Sequence, residues 1–356
     1  MTDTTVRARA GTREGLGAPA ASPSKRSTSI GRWAPVVVIV LAILIPFVFD
    51  DYTNYLLSLV LSTGIAVLSL NLLTGYTGLI SIGHGALMGI GGYATASMFV
   101  NLGLPWPIGI VAGTLLCGIV GFILGLPSLR LSGLFLALVT LGFAIVFPAI
   151  LKRGGEATGG ISGIPLVTPS APAWTGLTSP QWYYLVSLVL FVLVALGMRG
   201  VVRGRIGRAL DAVHRDELMA AAVGISPGRL KLKIFVLSSM LAGFAGGIHQ
   251  VIIGPALPDA YVVTFSISLL TAAVVGGVRS ITGALIGAAF IVLVPDIASQ
   301  LGDRGVQLIY AVALMVVIYL FPVGVYGAVV AIVRRIGIAL RRRRQAEAGK
   351  PQPSSD

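Results

Sequence analysis

The sequence predicts an all-α, polytopic integral membrane protein of about ten transmembrane or partly re-entrant helices, with cytoplasmic N- and C-termini. Three observations lead there. Hydrophobic residues make up 55% of the 356 and charged residues only 11%, under half the charged share of an average soluble domain. The apolar residues come in long blocks that water could not solvate and hydrocarbon can. The basic residues, 26 in all and 21 of them Arg, gather in a few short segments, as they do on the cytoplasmic side of membrane proteins.

A helix needs roughly 20 apolar residues to cross a bilayer, and ten segments approach that length. They run Trp33 to Phe49, Tyr52 to Leu73, Ile82 to Val100, Trp106 to Leu126, Leu131 to Leu151, Trp182 to Met198, Ile234 to Ile253, Val262 to Val278, Ile281 to Val294 and Val306 to Phe321. The ninth is short, and only Arg279 and Ser280 separate it from the eighth. These segments make a permease block over 33–333. Residues 1–32, rich in Ser, Thr, Ala, Gly and Arg, read as a disordered basic cytoplasmic tail and not as a cleaved signal peptide. Residues 334–356 form a second basic cytoplasmic tail.

The loop charges orient the segments. Arg7, Arg9, Arg13, Lys25, Arg26 and Arg32 precede the first segment, and Asp50 and Asp51 follow it. Arg130, Arg279 and the Arg341 to Arg344 run fall on the N-terminal side of the bilayer; Asp296, Asp303 and Arg304 fall on the other. The loop 199–233 carries eight bases against three acids, whereas 152–181 is nearly neutral. Ten crossings put every strongly basic segment on the cytoplasmic face.

Composition also excludes functions. The formal charge of +13 sits in segments without the interleaved aromatics of a nucleic-acid groove, so no nucleic-acid partner is expected. Cys117 is the single cysteine and His84, His214 and His249 the only histidines, none at ligand spacing; no metal and no cofactor is expected. The ten segments as drawn hold no Asp, Glu, Lys or Arg, which weighs against proton-coupled carriers, pumps and voltage sensors. No catalytic residue and no phosphate-binding loop is present, since Gly349-Lys350 is followed by Pro351. The protein is therefore not an enzyme, and active transport would draw its energy from a partner.

Glycines at four-residue spacing, Gly85 with Gly89, Gly121 with Gly125, Gly243 with Gly247 and Gly283 with Gly287, predict close helix packing. The stretch Ser81 to Gly89 is echoed, with one residue of slippage, by Ser280 to Gly287. Paired glycine-interrupted segments can mark a solute path, although chance similarity between Gly/Ala-rich helices is an equally good reading. In the central loop, Gly207 to Val213 reads as helical. The run Arg215 to Ile225 follows, with acids in its first turn and Gly224 at its end, a second short helix. Alanine-rich and exposed, it suits either a groove-binding knob or a plain surface helix.

The run Asn71-Leu72-Leu73-Thr74-Gly75-Tyr76-Thr77-Gly78-Leu79-Ile80-Ser81-Ile82-Gly83-His84-Gly85-Ala86 resembles the signature of branched-chain amino-acid ABC transporter permeases, as does Gly207 to Ile225 continuing to Gly246. Val275-Gly276-Gly277 with Gly283, and Thr158-Gly159-Gly160 with Gly163-Ile164, are similar too. The layout looks most like the subunit with the longer outer loop. The resemblance implies two permeases as a heterodimer, two cytoplasmic ABC ATPase subunits and an extracytoplasmic solute-binding protein. It implies ATPase coupling through Gly207, Arg208, Asp211, Glu217, Ala220 and Gly224, with Glu217 one residue early against the family's pattern and Met219 at an alanine position. Thr74, Tyr76, Ser81 and His84 are the candidate solute-path residues on their polarity. A permease for urea, short amides or another small neutral solute is the alternative; an ion-coupled secondary carrier fits less well.

Overall fold

Residues 40–129, 133–301, 305–321 and 324–327 are described by a computed structural model of the chain. Both basic tails, the start of the first predicted segment, Arg130 and the Asp303–Arg304 pair lie outside the described residues. A helix over 40–48 (α1) is followed by α2 (Asp51–Thr77), α3 (His84–Leu102), α4 (Trp106–Gly125), α5 (Gly133–Arg153) and α6 (Ser179–Arg203). Two short helices, α7 (Arg205–Arg215) and α8 (Glu217–Ala222), then lead to α9 (Pro227–Ile253), α10 (Val263–Gly276), α11 (Ile281–Leu301) and α12 (Val306–Leu320). Among the described residues the only β pairing is one isolated bridge, Ile164 with Ala256. Six helices (α2, α4, α5, α6, α9 and α11) are long and apolar enough to cross a membrane, and α10 and α12 are shorter apolar helices.

The centre is α2. Nearly every residue from Val60 to Leu73 is buried, the mark of a helix surrounded by other helices. Its Ser and Asn residues turn inward onto backbone: Ser69 Oγ donates to Ala66 O at 2.6 Å and Asn71 Nδ2 to Ser280 O at 3.3 Å. In contrast α4, α5 and α6 leave rows of large apolar residues uncovered, among them Ile119, Phe122, Leu138, Ile145, Leu193 and Leu196. Such rows are what a surface solvated by acyl chains requires.

Small residues set the helix spacing. A Cβ on Gly91 would sit 1.9 Å from Gly243 O and one on Gly246 1.8 Å from Met88 O, so the α3 and α9 backbones touch and only glycine fits between them. All eight glycines of the four predicted pairs lie against a neighbouring side chain or backbone, which makes packing their role. The echo has a concrete meaning as well. Both copies open a helix after a break, with Gly83 N donating to Ser81 Oγ at 3.4 Å and Gly283 N to Ser280 Oγ at 2.9 Å. Both then press glycines on α10: Gly85 against Ser266, Gly283 against Gly276 and Gly287 against Ala272.

Helices run past the predicted segments where charge made hydropathy stop. The helix α9 begins at Pro227 and not at Ile234, carrying Arg229, Lys231 and Lys233. The helix α11 continues through Pro295 and Asp296 to Leu301 and not to Val294, which resolves the shortness of the ninth segment. Asp296 accepts a hydrogen bond from Tyr52 Oη at the start of α2. The helices therefore carry charge beyond the segments as drawn, at their ends, where Lys231 is paired with Glu217 and Asp296 is hydrogen-bonded by Tyr52.

Two ends follow from these contacts. At one, Asp51 accepts from Thr178 Oγ1 at 2.7 Å, Lys152 pairs with Asp259 at 2.7 Å, and the 154–164 loop is stitched to the α9–α10 turn by Ile164 N to Ala256 O at 3.0 Å. At the other, the C-terminus of α2, the α10–α11 turn and α7–α8 come together.

Candidate functional site

The basic end holds the site. Its local sequence dictates a sharp elbow, because a Cβ at Gly207 would lie 1.6 Å from Val202 O and nothing larger lets α7 fold back on α6. The helix α7 is amphipathic: Leu210 and Val213 are buried while Arg208 and Asp211 face outward. Asp216 leaves helical geometry at φ −158° and caps the next helix, its Oδ1 accepting from Leu218 N at 2.8 Å and Met219 N at 3.0 Å. Gly224, at φ +85°, then turns the chain toward α9, a conformation that favours glycine.

The short helix α8 is fastened to the body on one side and bare on the other. Ala220 is buried, and Glu217 pairs with Lys231 of α9, whose side chain is only 9% exposed. On the opposite side Leu218, Met219 and Val223 are 84%, 69% and 76% exposed. Three large apolar side chains at the charged end of a membrane protein, on a helix held by a cap and an ion pair, form a rigid apolar knob. Patches of this kind mark protein contacts. The sequence reading singled out Glu217 and Ala220, which secure the helix; it noted Met219 only as standing at an alanine position and passed over Leu218 and Val223 as outward-facing residues.

Arg279 ties the neighbouring elements together. It is the one non-glycine among the described residues with positive φ, at 75°. Its Nε donates to Gly75 O at the C-terminal end of α2, and its guanidinium lies 5.1 Å from the Tyr76 ring centre and 3.8 Å from Asp211 Oδ1 of α7. Tyr76 Oη donates back to Arg279 O at 3.3 Å. A cation over the last carbonyls of α2 suits the helix dipole, and one side chain thereby ties the α10–α11 turn to both α2 and α7. The α10–α11 turn and its arginine were read from sequence only as an orientation signal.

The four candidate path residues fall in two places. Thr74 and Tyr76 lie on the last turns of α2, Tyr76 beside Arg279. Ser81 and His84 are buried where α3 begins. His84 Nδ1 lies 2.9 Å from Ser81 Oγ and Nε2 2.8 Å from Ser238 Oγ, which itself donates to Ser69 O at 2.6 Å. With that hydroxyl proton committed, Nε2–H is the donor to Ser238 and Nδ1 accepts from Ser81. The chain of bonds joins α2, α3 and α9. Asn71 Oδ1 and Thr74 Oγ1, one turn apart on α2, are buried atoms with no hydrogen-bond partner.

Comparison with known proteins decides the family. The model of the branched-chain amino acid transport system / permease component family matches residues 52–321. This chain belongs to that family. The permease is similar to the high-affinity branched-chain amino acid transport system permease protein LivM of Escherichia coli K12, 29% identical over 309 residues, covering 80% of this chain and 72% of that protein. LivM of Salmonella typhimurium is 27% identical with the same coverage. The LivH permease protein of that organism is 24% identical over 270 residues, 71% of this chain and 87% of its own. The permease thus resembles the LivM relatives over more of its length than LivH, in line with the expected subunit type. Among the described residues no group of three or more His, Cys, Asp or Glu could hold a metal ion.

Proposed function

We propose that this permease is the membrane subunit of an ATP-driven ABC importer for branched-chain, aliphatic amino acids in the bacterial cytoplasmic membrane. The observation that carries the coupling half of this reading is the clamped α8 knob following α7, the helix that Arg279 ties to α2, within a chain of this transport family. The partners on this reading are a second permease as a heterodimer, two cytoplasmic ABC ATPase subunits and an extracytoplasmic solute-binding protein. Ten crossing segments with both termini cytoplasmic give the topology, supported by the basic end that gathers Arg199 to Lys233 with Arg279.

Coupling runs through α7 and α8. Gly207 sets the elbow, Arg208 and Asp211 occupy the outer side of α7, and Glu217, Ala220 and Gly224 fix the pose of α8. The ATPase then grips Leu218, Met219 and Val223, and Arg279 passes the displacement of α7 to α2 and the α10–α11 turn. Rigid-body movement of packed elements is the ordinary route for such a signal. For the solute path, Thr74 is supported by its unpartnered buried hydroxyl, one helical turn from the equally unpartnered Asn71 Oδ1; each oxygen is able to accept from an ammonium group. Tyr76 lines the same end, and Ser81 and His84 border the path by holding the start of α3.

The test is uptake of radiolabelled leucine, isoleucine, valine and urea in cells with and without the gene, and with the Leu218→Asp/Val223→Asp variant. Loss of leucine-type uptake in both, with the protein still in the membrane, supports the reading. Selective loss of urea uptake moves the solute to the small-amide class. Unchanged uptake in the variant alone removes α8 from the coupling role.

A further inference from the structure

Next to the coupling elements, the last turns of α6, the α10–α11 turn and Tyr326 enclose a cleft of about 280 Å³. Arg199, Arg203 and Arg279 line it together with Ser280, Thr282 and Tyr326. Among the described residues, Asp211 beside Arg279 is the only carboxylate within ion-pair distance of any of the three arginines. Three guanidiniums against one carboxylate leave a net positive cleft. Ile281 and Thr282, which also line it, are the first residues of α11; Ser280 Oγ caps Gly283 N, which leaves the N–H groups of Ile281 and Thr282 as the ones without intrahelical partners that favour an anion.

The surroundings specify the kind of anion. The helix α6 exposes Val189, Leu193 and Leu196 at 57%, 58% and 60%, so the cleft opens where a lipid-facing helix leaves the apolar region. Met198, Val202 and Ile281 supply apolar wall within it. A free inorganic anion has no use for such a wall, whereas a lipid brings a phosphate and a hydrocarbon chain on one molecule. Basic pockets between helices at the cytoplasmic side are suited to anionic headgroups.

We propose that this cleft binds the phosphate headgroup of an anionic phospholipid of the cytoplasmic leaflet. The proposal rests on reading the basic end as cytoplasmic. Arg199 and Arg203 supply the uncommitted charge. Ser280 Oγ and Thr282 Oγ1 are bonded to each other at 3.1 Å, so that pair has one hydroxyl proton to offer, and Tyr326 supplies a second directional donor. Arg279 is shared between headgroup and Asp211, so lipid occupancy reaches the contact that joins α7 to α2.

The experiment uses the purified full chain, read by native mass spectrometry and thermal unfolding, and needs no transport activity. Phosphatidylglycerol, phosphatidylcholine and inorganic phosphate are added in separate arms to wild type, Arg199→Gln/Arg203→Gln and Arg199→Lys/Arg203→Lys. Wild type should retain and be stabilised by phosphatidylglycerol and not phosphatidylcholine. The Gln variant should lose roughly tenfold or more in that affinity, and the Lys variant should keep most of it. Equal retention of phosphatidylglycerol by the Gln variant overturns the proposal. Stabilisation by inorganic phosphate equal to that by phosphatidylglycerol overturns the lipid assignment in favour of a soluble anion.

Discussion

At the scale of single residues, the backbone sets the rules in two places. Where α3 crosses α9, a Cβ on Gly246 would lie 1.8 Å from Met88 O, and a carbonyl in a helix cannot step aside as a flexible side chain can. Gly246→Val should therefore destabilise the permease by about 1–3 kcal/mol or more, the usual cost of overpacking. It should show as a lower unfolding temperature in detergent. Gly197→Val, on the open side of α6 with nothing near it, is the matched control and should leave that temperature nearly unchanged. Arg279 gives a test of opposite sign. Its φ of 75° costs a side-chain-bearing residue about 1–2 kcal/mol that glycine avoids. Arg279→Gly and Arg279→Ala both lose the bonds to Gly75 and Asp211, so their difference isolates the backbone. The Gly variant should unfold at the higher temperature, the reverse of the order inside a helix, and the Ala variant unfolding higher would show that the turn carries no such strain.

At the scale of elements, the amphipathic placement of α8 carries the argument. Leu218→Asp with Val223→Asp changes only side chains that are 84% and 76% exposed, so folding should be preserved. Co-purification of the ATPase subunit should fall by roughly tenfold or more, as happens when a central apolar anchor is lost from an interface. Full retention of the ATPase would locate its contact elsewhere. These elements were legible from sequence to different degrees. The segments around α2, α4, α10 and α12 were found within a few residues because their ends coincide with Gly, Pro or a change in charge. The start of α9 and the end of α11 were not, since Lys231 and Asp296 stop a hydropathy run while their partners, Glu217 at 14 residues and Tyr52 at 244 residues, lie outside the segment. The central loop was legible as two short helices from Asp216 and Gly224. Which face of α8 would be bare was not, because that depends on Lys231 drawing Glu217 inward and on Ala220 seating against the body. The Arg279 cluster was invisible for the same reason, joining Gly75 and Tyr76, about 200 positions away in the chain, with Asp211 on a third element.

At the scale of the whole molecule, everything proposed above depends on the two ends facing opposite sides of the membrane. One helix, α6, separates the 154–178 loop from α7 and α8, so a single crossing fixes the sign of the entire arrangement. Trp174 in the outer loop is 83% exposed and Leu218 on α8 is 84% exposed, which makes both positions reachable without disturbing the core. Cys117 is the single native cysteine and is buried, so a Cys117→Ala background leaves no competing thiol. A membrane-impermeant maleimide applied to intact spheroplasts should label Trp174→Cys at once. Leu218→Cys should react only after the membrane is opened, the basic loop being on the cytoplasmic side as its Lys and Arg content directs. Labelling of both from outside would mean that α6 does not cross. The six long helices would then need another arrangement, and the ATPase could not reach α8. Labelling of Leu218→Cys alone would invert the molecule and remove the cytoplasmic leaflet from the arginine cleft. The expected pattern puts α8 on the cytoplasmic side of a membrane that α6 crosses, the placement that the proposed ATPase contact and the proposed lipid site both require.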